Sequence, residues 1–395
     1  MPIEDTYAGL RVLDLSENIA GPLACLVLAD LGADVIKVER PGTGEATRSL
    51  PPRWGGDGES TVFLTVNRNK RSAAIDLATA EGREAVLRLA ARSDVVVESF
   101  RPGVADRLGL GFADMERANP RVVHCSISAF GTGPLGHDRP GYDAIVQAFS
   151  GIMEMTGDPD GLPARAAPSV VDVSTGLWAL AAIQAALARR DREPGAQRLE
   201  ATLVDSAFHL LGHQVTGYLG TGTFPGRLGS AAPSTAPYQA FRTADGAIMI
   251  AGATDRLFVR LCHGIGLPEL ATDARFLTVA DRVGARDTLT ALIEARLATG
   301  TSDHWLTAIG AAGVPAGPVQ DLATALAHPV TVERGLVREV PGARLPGLAQ
   351  LRLPLDPDGR CPVREPPLLG QHTAEVLAEV GLTAGRAPGA APMRP

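Results

Sequence analysis

The first third of the chain alternates short apolar runs with segments of helical periodicity. Residues 10–15 and 34–38 are apolar runs of strand length, and the segment between them has helical spacing, with Pro22 suited to its first turn and Gly32 to its C-terminal end. The alternation continues, with strands predicted at 73–77, 94–97 and 121–130 and a helix at 81–91. Strands and helices that alternate with short connections predict an α/β fold with a doubly wound parallel sheet.

The pattern changes at a Gly/Pro/Ser-rich stretch, residues 220–237, which marks a candidate domain boundary. Before it, the spacing of apolar residues predicts two helices, a short strand and a third helix, at 142–155, 174–190, 199–203 and 206–218. After it, residues 238–251 have the pattern of a β-hairpin with Asp245-Gly246 at its turn. Three further helices are predicted at 258–265, 286–298 and 303–312, so this part is expected to form a smaller α+β domain.

Composition and charge exclude several classes of function. The 395 residues include 37 basic and 44 acidic side chains, for a net charge of −7, and 45% of the chain is hydrophobic, which predicts a folded protein of two or more domains. Only two basic residues are lysines, Lys37 and Lys70. The chain has no basic run, so we expect no nucleic-acid binding. It has no apolar stretch of 18 residues and no apolar leader, so we expect no membrane span and a cytoplasmic location.

Other motifs match dinucleotide-binding or metal-binding patterns only in part. Residues 131–136 match the G-x-G-x-x-G pattern of dinucleotide-binding proteins, but the proline within the motif disfavours a helix start there. Glu39 ends the second strand, where an acidic residue could hold a ribose, but the preceding turn has a single glycine. His209 and His213 lie four apart without an acidic residue between them, and the four cysteines form no C-x-x-C pair. No metal site is predicted.

Seven separated segments carry a more specific signal: GLRVLDLSENIAGPLACLVLADLGADVIKVERPGTGEATR (9–48), NRNKRSAAIDL (67–77), DVVVESFRPGVADRLGL (94–110), NPRVVHCSISAFGTGP (119–134), RPGYDAIVQAFSG (139–151), PYQAFRTADG (237–246) and LLGQHTAEVLAEVGL (368–382). In this order they resemble the family III CoA-transferases, also called the CaiB/BaiF family. The resemblance implies a large Rossmann-like domain with an inserted smaller α+β domain. It also implies an interlocked homodimer, in which each chain is threaded through a hole in its partner.

Together, the resemblance and the composition predict the division of the chain. The expected segments are a large CoA-binding domain at 1–205, a linker at 206–225, a small domain at 226–325, a linker at 326–350, the C-terminal part of the large domain at 351–383, and a disordered tail at 384–395.

The resemblance places the family's aspartate nucleophile at Asp172, in the segment PSVVDVSTG just before the helix predicted at 174–190. A carboxylate nucleophile divides the exchange of CoA between two carboxylic acids into acyl transfers, and the near-neutral energy of that exchange requires no ATP site. The N-terminus of the helix would help to stabilise negative charge nearby. The structural alternative is that Asp172 only caps this helix, because Asp is a favoured N-cap residue.

The resemblance also implies a binding site for CoA, which is substrate rather than permanent cofactor. Arg40 is expected at the adenosine end, and Arg101 and Arg107 at the phosphates, since arginine forks suit phosphate oxygens. Tyr142 is expected near the thioester. The remaining contacts are expected alongside the phosphates and along the pantetheine arm, from Ser99, Phe100, Ile19, Ala20, Ile75, Asp76, Leu77 and Ala78.

Two departures from the family's patterns narrow the choice of reaction and of acceptor. The family's racemases carry a histidine where this chain has Tyr142, which leaves their acid/base pair incomplete here. The formyl-CoA:oxalate branch has Gln and Lys where Ile19 and Pro140 align, and their loss argues against oxalate as acceptor. We therefore predict a CoA-transferase that acts on an acyl-CoA and a carboxylic acid. The alternatives are a racemase-like isomerase, a Rossmann oxidoreductase and an inactive CoA-binding protein.

Overall fold

The computed structural model describes residues 3–190, 192–224 and 226–383, in two compact units. The first unit comprises the described residues up to Ser150, Ala167–Gly212, and those from Val332 onward. The second comprises Gly151–Ala166 and His213–Thr331. The segment 151–166 thus packs with the second unit although it precedes the predicted boundary. The tail predicted at 384–395 lies outside the described residues.

A six-stranded sheet forms the centre of the first unit, and every strand pair in it is parallel. Its strands are β1 (Arg11–Leu15), β2 (Asp34–Glu39), β3 (Arg71–Ala74), β4 (Val95–Glu98), β5 (Val123–Ser128) and β6 (Gln197–Thr202). The spatial order is β3-β2-β1-β4-β5-β6, so the direction of winding reverses between β1 and β4. The α/β class with a parallel sheet is confirmed, and the reversal point is where such sheets bind ligands.

Nine α-helices occur in the described chain as far as residue 221; eight belong to the first unit, and the ninth, from its second residue onward, belongs to the second unit. They are α1 (Ala20–Asp30), α2 (Thr61–Val66), α3 (Ala80–Ala90), α4 (Val104–Leu108), α5 (Phe112–Ala118), α6 (Asp143–Ser150), α7 (Val170–Arg189), α8 (Leu203–Leu210) and α9 (Gly212–Thr221). The single helix predicted at 206–218 is therefore two helices that meet at Leu211, and residues assigned to a linker are helical. The strand predicted at 73–77 ends at Ala74, where a turn held by the Asp76 carboxylate begins.

Helices α1 and α7 pack closely, and a glycine permits the contact. A Cβ at Gly176 in α7 would lie 2.6 Å from the Ala20 carbonyl oxygen of α1, so any larger residue would push the helices apart. Among the described helices, α7 is long and apolar enough to cross a membrane by length and composition alone. It contacts β5, β6 and α1, as a core helix does, and this packing fixes its N-terminus over the sheet.

The second unit has its own antiparallel sheet and core. Its elements are β7 (Tyr238–Arg242), β8 (Ala247–Ala251), α10 (Asp255–Gly264), α11 (Val279–Gly284), α12 (Arg286–Leu297), α13 (Ser302–Ala311), β9 (Ala316–Pro318) and α14 (Leu322–Ala327). Strands β7 and β8 form a hairpin around Asp245-Gly246. Phe241, Ile248 and Trp305 are buried in its core.

The last described part of the chain starts with α15 (Pro329–Glu333) and returns to the first unit. It contains the two-stranded sheet of β10 (Val337–Glu339) and β11 (Ala349–Leu351), and helix α16 (Thr373–Glu379). Val376 and Val380 are buried in the same core as Leu13 and Ile36 of the parallel sheet. Residues more than 300 positions apart therefore share one hydrophobic core, which ties the C-terminal segment to the parallel sheet.

Candidate active site

A cavity of about 330 Å³ opens at the carboxyl ends of the parallel strands, where the winding reverses. Chain segments that follow β1, β2, β4, β5 and β6 all contribute to its wall, because the carboxyl ends of parallel strands lie along one edge of a sheet. The lining residues are Glu17, Asn18, Ala20, Arg40, Ser99, Phe100, Arg101, Pro102, Ile127, Ser128, Ala129, Arg139, Pro140, Gly141, Tyr142, Asp172 and Leu203.

The structure brings most of the expected residues to this cavity. Its wall includes the expected nucleophile together with Ala20, Arg40, Ser99, Phe100, Arg101 and Tyr142. Arg107 lines a second cavity of about 220 Å³, which shares Arg101, Pro102, Arg139 and Pro140 with the first. This second cavity is strongly basic, because Arg101, Arg107 and Arg139 all face it.

Five of the expected residues line neither cavity. Ile19 lies between two lining residues of the β1–α1 turn, and Ile75 is buried in the core. Leu77 packs against that core, and Asp76 and Ala78 are exposed. Residues 75–78 follow β3, the edge strand, which the sheet order places three strands away from β4. Their distance from the cavity is a consequence of strand order, which the residue pattern does not encode.

Asp172 lies in the first turn of α7, because this helix begins at Val170 rather than near residue 174. Its carboxylate accepts no hydrogen bond from a described residue, and the N-cap residue is Ser169. The interpretation of Asp172 as a simple helix cap is therefore wrong. A half-buried carboxylate that faces a cavity and is not engaged by backbone N–H groups is available to react.

The backbone around Asp172 is instead held by a second carboxylate, that of Asp143 at the start of α6. Its Oδ1 accepts hydrogen bonds from the backbone N–H groups of Val171 at 2.9 Å and Asp172 at 3.2 Å. Gln147 donates to Oδ2 at 2.6 Å, and Asp143 is 5% exposed. Asp143 thus supplies the acceptor that the first turn of α7 needs, from a different helix.

The pKa of Asp172 is raised from its ordinary value to about 7, first by burial and then by the negative charge of Asp143. Both effects disfavour the ionised form and favour a neutral one. An acylated aspartate is neutral, so this environment destabilises the free carboxylate relative to a covalent acyl intermediate. A carboxylate of raised basicity is also a better nucleophile.

Four arginines surround the two cavities: Arg40, Arg101, Arg107 and Arg139. All four are exposed, and none forms an ion pair with a described residue. Guanidinium groups without protein partners retain their N–H donors for an anionic ligand, and Arg fits phosphate and carboxylate oxygens in a bidentate manner. The site therefore offers several anion contacts beside one available carboxylate.

The β1–α1 turn, residues 16–21, is shaped by close packing. Asn18 has a positive φ of 68°, and a Cβ at Gly21 would lie 2.3 Å from the Ser16 hydroxyl oxygen. The Ser99 hydroxyl accepts a hydrogen bond from the Glu17 N–H at 2.8 Å, which joins this turn to the segment after β4 across the reversal point. The two walls of the cavity are thereby held together.

Sequence analysis missed Glu17, Asn18, Arg139 and Asp143. The last two lie in the segment RPGYDAIVQAFSG, in which the resemblance assigns a contact to Tyr142 alone. The G-x-G-x-x-G match at 131–136 lies in the loop between β5 and α6, and no helix begins within it. Within 3–190, 192–224 and 226–383 there is no cluster of three or more potential metal ligands among His, Cys, Asp and Glu.

Comparison with known proteins identifies the family of this chain. The family described as CoA-transferase family III matches residues 7–373. The succinyl-CoA:glutarate CoA-transferase of Mus musculus is 39% identical over 379 residues, which cover 94% of this chain and 86% of the mouse protein. The acetyl-CoA:oxalate CoA-transferase of Acetobacter aceti is 40% identical over 343 residues, which cover 86% of this chain and 87% of that protein.

A crystal structure of a CaiB/BaiF family protein from Brucella suis has the same fold. It is 39% identical in sequence, covers 95% of this chain and 99% of its own, and gives a TM-score of 0.83. Membership of one family therefore explains both the parallel sheet and the order of the seven sequence segments. This chain belongs to the family III CoA-transferases, the CaiB/BaiF family, whose substrates are CoA thioesters.

Proposed function

We propose that this protein transfers CoA from an acyl-CoA donor to a carboxylic-acid acceptor through a covalent intermediate on Asp172. The observation that carries the proposal is the Asp172 carboxylate itself, which faces the cavity and accepts no hydrogen bond from a described residue, while burial and the charge of Asp143 raise its pKa to about 7. The family's activity requires no further nucleophile, and Asp172 is the aspartate in the wall of this cavity.

In the first half of the reaction, an Asp172 oxygen attacks the thioester carbonyl carbon, and the carbon–sulfur bond breaks. The products are a mixed anhydride on Asp172 and CoA thiolate. The thiolate then attacks the aspartyl carbonyl carbon, the donor acid leaves as a carboxylate, and CoA is held as an aspartyl thioester. The acceptor carboxylate reverses these two steps, which releases a new acyl-CoA and restores the Asp172 carboxylate.

The surrounding residues support these steps in distinct ways. Arg101 and Arg107 provide cationic contacts for the phosphates of CoA, and Arg40 lies at its adenosine end, as the family resemblance implies. Asp172 lies in the first turn of α7, where the helix dipole favours the negative charge that develops on the aspartyl oxygen during attack by the CoA thiolate. Tyr142 stands where the family's racemases have histidine, which favours transfer over racemisation. The relatives named above are a succinyl-CoA:glutarate and an acetyl-CoA:oxalate CoA-transferase, and both names include a dicarboxylic acid, which supports a dicarboxylic acid as acceptor.

We also propose that the active form is a homodimer. In the first unit, helices α7 and α8 expose Leu177, Trp178 and Phe208, with between 43% and 52% of each side chain accessible. Large apolar side chains grouped on a surface favour association. A second copy of the chain would cover them, as the family's interlocked dimers imply.

Trapping of the acylated aspartate tests the covalent intermediate. With succinyl-CoA as donor, hydroxylamine is expected to convert Asp172 into a hydroxamate, found by mass spectrometry in the peptide that contains it. Asp172→Asn should lose on the order of 10³-fold or more in kcat. The matched control is Asp205→Asn, an exposed aspartate in the first turn of α8, which should keep normal activity. Full transfer activity in Asp172→Asn would disprove the mechanism.

A further inference from the structure

Arg139 differs from the other cavity arginines in how it is supported. Its guanidinium lies over the ring of Phe130 at 4.9 Å and over that of Phe149 at 5.2 Å. The two rings are themselves in edge contact, with centroids 5.2 Å apart. Aromatic faces hold a guanidinium through its plane and leave the N–H groups at its edge available.

The acidic residue next to Arg139 does not neutralise it. Asp138 contacts the Nδ1 atom of His137 at 2.9 Å, and no described carboxylate forms an ion pair with Arg139. Arg139 nevertheless lines both cavities. A positive charge that is held in place by two rings, faces a cavity and has no carboxylate partner among the described residues fits an anionic ligand.

The cavity that Arg139 shares with Asp172 favours the reacting acid, rather than a CoA phosphate, as its ligand. Arg40 follows β2 and Arg101 follows β4, whereas Arg139 lies in the loop that leaves β5. Helix α7, which carries Asp172, contacts β5 and β6. Arg139 lines the same cavity as Asp172, whereas Arg107 lines only the second cavity, which does not include Asp172.

The chain continues from Arg139 directly into the reacting part of the site. Gly141 and Tyr142 line the cavity, and Asp143 holds the backbone of Asp172. A group bound by Arg139 is therefore placed relative to Asp172 by a short and well-supported segment.

On the basis of the proposed function, we infer that Arg139 determines the substrate class by binding the distal carboxylate of a dicarboxylic acid. One carboxyl group of the acid reacts at Asp172 while the other pairs with the guanidinium. In the proposed mechanism the donor acyl group and the acceptor occupy the same place in turn. Arg139 consequently selects for a distal carboxylate on both substrates.

The test compares substrates that differ only in the distal carboxylate. The acceptors are glutarate and pentanoate, and the donors are succinyl-CoA and butyryl-CoA. In Arg139→Gln, the ratio of kcat/KM for glutarate to that for pentanoate is expected to fall by about 10- to 100-fold, the range for hydrogen bonds to a charged group. The succinyl-CoA to butyryl-CoA ratio, measured in hydroxylamine trapping, should fall similarly. Arg139→Lys, which keeps the charge but loses the fork, should give an intermediate ratio.

Arg107→Gln is the matched control, because Arg107 lines only the second cavity. It should raise KM for both CoA esters alike and leave the acceptor ratio unchanged. If Arg139→Gln behaves in this way, Arg139 binds a CoA phosphate and the inference is wrong; unchanged ratios and unchanged KM values would also overturn it. Trapping of Asp172 in the wild-type protein is independent of either result, so it separates failure of this inference from failure of the proposed function.

Discussion

Asp172 and Asp143 are two nearby carboxyl groups with different environments. Asp143 accepts hydrogen bonds from two backbone N–H groups and from Gln147, whereas Asp172 accepts none from a described residue. The pKa of the Asp172 carboxyl is raised first by burial and then by the negative charge of Asp143. Such a division lets one carboxylate position the helix and leaves the other available for the proposed reaction.

This arrangement predicts the pH dependence of the reaction. Asp172 must be ionised to attack, and its pKa is about 7. The value of kcat/KM for the acyl-CoA, which reports groups of the free enzyme, should therefore be constant above about pH 8 and fall about tenfold per pH unit below about pH 6. Initial rates at low acyl-CoA concentration, measured in buffers from about pH 5 to 9, test this profile.

Removal of the neighbouring charge should shift that profile. Asp143→Asn keeps an oxygen that can accept the Val171 N–H but removes the negative charge, so the apparent pKa should fall by about one unit. The matched control is Gln147→Leu, which leaves the charge of Asp143 and removes one hydrogen-bond donor to it. This variant should not lower the apparent pKa of Asp172. An unchanged profile in Asp143→Asn would show that burial alone raises the pKa of Asp172.

The β1–α1 turn is an element whose shape depends on the two lysines of the chain. Lys37 Nζ donates to the Ser16 carbonyl at 2.8 Å, and Lys70 Nζ donates to the Pro22 carbonyl at 2.9 Å, so the ammonium groups hold both ends of the turn. Lys70 also contacts Asp14 at 2.8 Å. Burial alone would raise the pKa of the Asp14 carboxyl, but the two ammonium groups lower it to about 2.

Lys70→Met should therefore change substrate binding as well as stability. Loss of one partner from a buried ion pair costs about 3–5 kcal/mol, and the freed turn should also raise KM for the acyl-CoA by about tenfold. Thermal melting and steady-state kinetics measure the two effects separately. Lys70→Arg, which keeps a positive charge, should recover part of the loss in KM.

Arg68→Met provides the matched control for this prediction. Arg68 forms a buried ion pair with Asp30 at 2.6 Å. It lies two residues before Lys70 but donates no hydrogen bond to the described residues of the turn. The Arg68→Met variant should lower the melting temperature to a similar extent and leave KM nearly unchanged. An equal increase of KM in both variants would mean that Lys70 contributes only stability.

At the scale of the whole molecule, the exposed apolar side chains of α7 and α8 predict self-association. Light scattering coupled to size exclusion should give twice the chain mass of 41.1 kDa. Trp178→Glu combined with Phe208→Glu should reduce the dimer fraction, because charged groups replace apolar surface that the partner would bury. Leu277→Glu is the control, since Leu277 is 51% exposed in the second unit and should tolerate the charge. A wild-type protein that remains monomeric at micromolar concentration would contradict the dimer.

The sequence by itself determined the α/β class, the family and the segments that supply the site. Periodicity shows which residues an element buries, and residues that follow parallel strands necessarily share one edge of the sheet. Only the tertiary structure decided which of those residues meet: Asp143 holds Asp172 from 29 positions away, two phenylalanines support Arg139, and residues 75–78 lie beyond the cavity. The order of strands and the pKa of a carboxylate depend on distances through space, which a one-dimensional pattern does not contain.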